Sequence, residues 1–67
     1  MTQDDKDMIV KFKQLLDGGK KASGMQVTEV YNRVFGTRLA STSCASCVRQ
    51  RIGKLWDKYQ EENDTNN

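Results

Sequence analysis

The chain has 67 residues, 36% hydrophobic and 30% charged, with a formal net charge of +2, two cysteines, no histidine and no proline. A domain this short buries only about 60% of the surface that its unfolded chain exposes, so it can hold a single, economical core. These values exclude a disulfide-built secreted scaffold, because the two cysteines lie three positions apart and would close a tiny loop, and a membrane span, because no apolar run approaches the ~20 residues required.

The opening MTQDDKD carries acid where a signal peptide carries Lys or Arg, so a cytoplasmic setting is expected, with no membrane partner. Met8, Ile9, Phe12, Leu15 and Leu16 then recur at the spacing of one helix face. With Asp4 or Asp5 as N-cap and Gly18-Gly19 ending the pattern, a first helix is expected over 5–17. The second stretch opens on Ser23-Gly24-Met25-Gln26, a capping-box pattern. Val27, Val30, Tyr31, Val34 and Phe35 follow at i, i+3, i+4, i+7 and i+8, and Gly36 suits a left-handed C-terminal residue, so a second helix is expected over 24–35.

A short connection from Thr37 to Ser41 follows, with Leu39 expected to tuck inward, and a third helix is expected over 42–60, capped by Ser41, Thr42 or Ser43. Cys44, Val48, Ile52, Leu55, Trp56 and Tyr59 share one arc of that helix, about 120° wide, which forms its core face. The fold class is therefore all-α: a compact three-helix bundle over 1–62, ending in a tail at 63–67 that has no apolar residue and is expected to be disordered.

The small net charge conceals an uneven distribution. Residues 18–59 carry eight cations against two acids, whereas 1–17 carry three lysines against four aspartates and 60–67 carry acid alone. A basic middle between acidic ends points to an anionic partner.

The C-x-x-C pair, Cys44 and Cys47, is half of a tetrahedral zinc site in a chain with no histidine; completing it would need a dimer pooling its pairs or a carboxylate such as Glu29. No metal and no other cofactor is expected. Thiol catalysis of the thioredoxin type is built on βαβ units, which this pattern lacks. On the wheel Cys44 falls with Val48 and Leu55, as a buried small residue, and Cys47 falls on the side of Arg51 and Lys58, where it is expected to be partly exposed and the more reactive thiol of the two.

A helix, a link and a third helix whose first turns carry Ser41, Thr42, Ser43, Ser46, Arg49 and Gln50 resemble, at the level of pattern, the helix-turn-helix arrangement of small DNA-binding domains over residues 26–52. That resemblance implies a second helix entering the major groove by its N-terminal half. Hydroxyls and helix N–H groups suit phosphate, Gln suits adenine and Arg suits guanine. Arg38, Ser43, Ser46, Arg49, Gln50 and Lys54 are accordingly the candidate nucleic-acid contacts, with duplex DNA the expected partner.

No enzyme is expected: there is no histidine, Ser-x-x-Lys or Gly-rich phosphate loop, and the acids lie mostly at the two ends. The rival reading is a protein-interaction or assembly adaptor, of the kind a phage or bacterial accessory protein supplies. In that reading an apolar helix face docks a partner or a second copy, with Trp56 at the edge of the core arc. A homodimer fits either reading, since small domains are often stabilised by association.

Overall fold

The computed structural model describes residues 1–64, which form three α-helices: α1 (Gln3–Asp17), α2 (Gly24–Phe35) and α3 (Ala45–Asp64). They pack as a compact all-α bundle with no strand among the described residues, and no described helix is long and apolar enough to cross a membrane. α3 runs to Asp64, and the expected tail lies, from residue 65 onward, outside the described residues.

Each helix contributes its periodic apolar face to one core. Ile9 and Phe12 come from α1, Val27 and Val30 from α2, and Val48, Ile52 and Leu55 from α3, all buried. Met8, Leu16, Tyr31, Val34, Trp56 and Tyr59 pack around this centre. Phe35 departs from the expected core face and is 37% exposed, because it lies well round the helix from Val27 and Val30; its ring rests on Tyr31, 4.6 Å between centroids. Trp56 stays at the core edge, stacked on Tyr59 at 5.2 Å with the Lys13 ammonium 6.0 Å from its ring centroid.

The caps explain where the helices begin and end. Thr2, not Asp4 or Asp5, caps α1: its hydroxyl accepts the Asp5 N–H at 3.1 Å. Both aspartates thereby fall in the first turn, where negative charge meets the positive end of the helix dipole. Asp5 is also turned inward and buried, and its Oδ1 accepts from Arg33 Nε at 3.1 Å and Nη2 at 2.9 Å, tying α1 to α2. At the other end of α1 the Lys20 N–H reaches the Leu15 carbonyl and the Gly19 N–H reaches Leu16, with Gly19 at φ 70°, a Schellman ending. α2 is capped by the Ser23 hydroxyl on the Gln26 N–H and ends at Gly36, φ 66°, as its sequence implies.

The link between α2 and α3 is longer than expected, spanning 36–44, and polar groups hold it. Asn32 Oδ1 accepts from the Thr37 hydroxyl at 2.8 Å and the Leu39 N–H at 3.0 Å, while its Nδ2 donates to the Leu39 carbonyl. Leu39 is therefore anchored by its backbone, and its side chain, expected inside, is 42% exposed. Arg51 Nη1 donates both to the Ala40 carbonyl and to the Thr28 hydroxyl, and Thr28 in turn donates to Gly24 O. Further on, the Thr42 carbonyl sits against Gly24 so closely that a Cβ there would overlap it.

Two stability outcomes follow from these contacts. Gly24→Ala, a change that ordinarily favours a helix, should destabilise by about 1–3 kcal/mol in urea unfolding, because the obstructing atoms are backbone; a gain in stability would refute the close approach. Arg33→Ala should cost more than Asp5→Asn, by about 1–2 kcal/mol, since it strands a buried carboxylate whereas the Arg33 side chain, 56% exposed, keeps its hydration. Equal losses would show that the carboxylate finds solvent on its own.

Candidate nucleic-acid interface

The start of α3 organises the surface. Thr42 Oγ1 accepts the Cys44 N–H at 3.1 Å, a local turn that competes with helical pairing and delays the helix to Ala45. Cys44 becomes the residue just outside the helix, with its carbonyl accepting the Val48 N–H at 3.0 Å. A wheel position holds only inside a helix, so the expectation that Cys44 is buried beside Val48 is overturned: it is exposed, and Cys47 is the half-buried one.

Beside this helix start lies a groove of about 610 Å³ between the α1–α2 link and α3. Leu16, Ala22, Val48 and Ile52 form its floor, and Lys20, Lys21, Arg49 and Ser43 border it. No acidic residue lines it. The first-turn N–H groups of α3 add their partial positive charge at Ala45, which also borders the groove.

Two of the six residues expected from the sequence, Ser43 and Arg49, thus meet in this groove. Ser46 and Gln50 are exposed and share with Lys54 one stripe of α3 at i, i+4 and i+8. Ser46 Oγ stands 3.3 Å from Cys44 Sγ. Lys54 opens onto a separate depression of about 450 Å³ shared with Phe35, Asp57 and Lys58, on another side of the helix from Arg49. Arg38 is exposed in the α2–α3 link and borders neither hollow. Lys20 and Lys21 also line the groove and are not among the six residues expected from the sequence. Their signal was a dibasic pair after Gly18-Gly19, but only the packing of the Schellman turn against α3 brings it to Arg49.

The two thiols differ in acidity. Cys44 is lowered to about 7, first by the Ser46 hydroxyl, then by the Cys47 thiol and the N–H groups of the first turn, all of which stabilise its thiolate. Cys47 is raised, because it shares its hydrogen with Cys44 and because partial burial and the Cys44 charge oppose its ionisation; Arg51 acts in the other direction. Cys44, expected inside the core, is thus the more exposed and the more acidic thiol, and Cys47 the less. Among the described residues no group of three or more His, Cys, Asp or Glu side chains is gathered to hold a metal.

Comparison of the chain with protein-family models, curated proteins and solved structures gives no match.

Proposed function

We propose that this protein is a non-enzymatic, cytoplasmic nucleic-acid-binding module that grips the phosphate backbone of duplex DNA. The observation that carries the reading is the groove in which Lys20, Lys21 and Arg49 converge, with no lining acid, at the positive end of α3. Phosphate oxygens are what such a rim and such a helix start recognise. Ser46, Gln50 and Lys54 extend the polar surface along α3, where Gln50 is free to reach a base edge, and Arg38 adds a further phosphate contact from the link. The helix-turn-helix likeness is carried by the order of α2, link and α3, with a link longer than the three or four residues common in that motif.

A second reading, docking of a protein partner or a second copy, is favoured by Phe35, which opens an apolar ring onto the depression beside Lys54 and Lys58. The two readings separate in solution. Binding of a mixed-sequence duplex, followed by fluorescence anisotropy across salt, should weaken steeply, with log K falling by about 0.9 per contacted phosphate for each unit of log salt. The triple change Lys20→Ala, Lys21→Ala, Arg49→Ala should lower that slope by about 3, and Lys54→Ala or Arg38→Ala by about 1 each. An unchanged slope in the triple variant removes the groove from the interface. Absence of binding together with a stable oligomer by light scattering assigns the chain to assembly instead.

A further inference from the structure

Two thiols occupy the first turn of α3 with unequal surroundings. Cys44 is exposed just outside the helix, its Sγ 3.3 Å from Ser46 Oγ, and Cys47 follows half-buried three positions on, inside the first turn. Side chains at this spacing have Cβ atoms about 5–6 Å apart, and a disulfide needs about 3.5–4.5 Å, so closure requires Cys44, which lies outside the helix, to release its N–H from Thr42 Oγ1 and swing toward Cys47. The backbone of Cys44 is held on one side by Thr42 Oγ1 and on the other by its own carbonyl bond to Val48, while its sulfur faces solvent beside Ser46.

We infer that Cys44 and Cys47 form a thiol–disulfide exchange site for small-molecule disulfides, with Cys44 as the attacking sulfur and Cys47 as the resolving one. The Cys44 thiolate attacks one sulfur of RS–SR; that S–S bond breaks, RS⁻ departs and takes up a proton, and Cys44 carries a mixed disulfide. Forming it removes the negative charge and the sulfur acceptor that hold the proton on Cys47, so the second thiol is released to ionise at the step that needs it. Arg51, the charged group acting on Cys47, favours that ionisation. Cys47 then attacks Cys44 Sγ, the mixed disulfide breaks, and a second RS⁻ leaves and is protonated. Two electrons and two protons pass from the protein dithiol to RS–SR, giving an internal Cys44–Cys47 disulfide and two RSH. In a reducing compartment this is a reversible cycle, since transient disulfides are the ones found there.

The site is independent of the nucleic-acid reading, because its test uses no polymer. The reduced full chain is treated with oxidised glutathione at pH 7, acid-quenched and weighed by mass spectrometry with a free-thiol count. The wild type should end two hydrogens lighter, with both thiols consumed at a rate per chain independent of protein concentration. Cys47→Ser should stop as a glutathione adduct on Cys44. Cys44→Ser should react about sixfold more slowly, the net of fewer thiolates at pH 7 and the higher nucleophilicity of the more basic sulfur. Serine is a good residue at a helix start, so both variants keep the fold, and circular dichroism checks this. Alkylation of Cys44 in the unaltered chain, read by peptide mapping, should rise with pH about a midpoint near 7. A wild type that ends as a stable adduct or as a disulfide-linked dimer, a Cys44→Ser variant as fast as the wild type, or a midpoint near the ordinary thiol value of 9.0 overturns the site.

Discussion

The Arg51 guanidinium, reaching from α3 to the Ala40 carbonyl and the Thr28 hydroxyl, is the contact on which the start of α3 and the groove beside it depend. It joins all parts of the α2–α3 unit: the helix it stands on, the link it clasps and the helix against which the link lies. Asn32 and Gly24 complete the clasp, one by pairing with the backbone at Leu39, the other by making room for the Thr42 carbonyl. A link with Leu39 exposed has little apolar burial to hold it, so these polar bonds and one close backbone approach set its path. The start of α3, and with it the position of Ser43, Cys44 and Arg49, follows from that path.

Internal bonding also redistributes charge. The basic middle segment carries eight cations, but Arg33 is paired with the Asp5 carboxylate of α1 and Arg51 is tied to the link by neutral acceptors that keep its charge and fix its place, so the positive surface is narrower than the sequence count implies. Lys20, Lys21 and Arg49 face one hollow, and Lys54 and Lys58 face another that also holds Asp57 and Glu61. Fields add where like charges converge without intervening acid and cancel where they alternate. A count along the chain therefore finds the sign of the surface, whereas packing finds its location.

Much of the bundle was legible from periodicity, because burying one face of each helix against the other two is the sole way these segments remove their apolar residues from water. Val27 and Val30, Val48, Ile52 and Leu55 are buried as their spacing requires. The Ser23 cap and the Gly36 stop were likewise legible, since each satisfies helix-end groups within a few residues of itself. What escaped were choices between adjacent local options and contacts made across the chain. Thr2 takes the α1 cap in place of Asp4 or Asp5, and Asp5, one turn inside the helix, is instead bound by Arg33, 28 positions away. Leu39 looks like an anchor by hydropathy, yet Asn32 does the anchoring through its amide. Lys20 and Lys21 belong to the groove only because the Gly19 turn folds them back toward Arg49.

The position of one helix start accounts for both the groove and the thiols. Had α3 begun at Thr42, Cys44 would lie on the core arc beside Val48 and Leu55, and burial there would suppress its ionisation. Its N-terminal N–H groups would then project a turn earlier, away from Arg49. Starting instead at Ala45 leaves Cys44 outside the helix, facing Ser46 and the free N–H groups of the first turn, which stabilise its anion. The same N–H groups open beside Ala45 and Ser43 on the rim of the cationic groove. A three-residue shift in helix start, fixed by the Thr42 turn and the clasp behind it, thus converts a core position into a solvent-facing thiol and brings the helix end beside Lys20 and Lys21 at the groove.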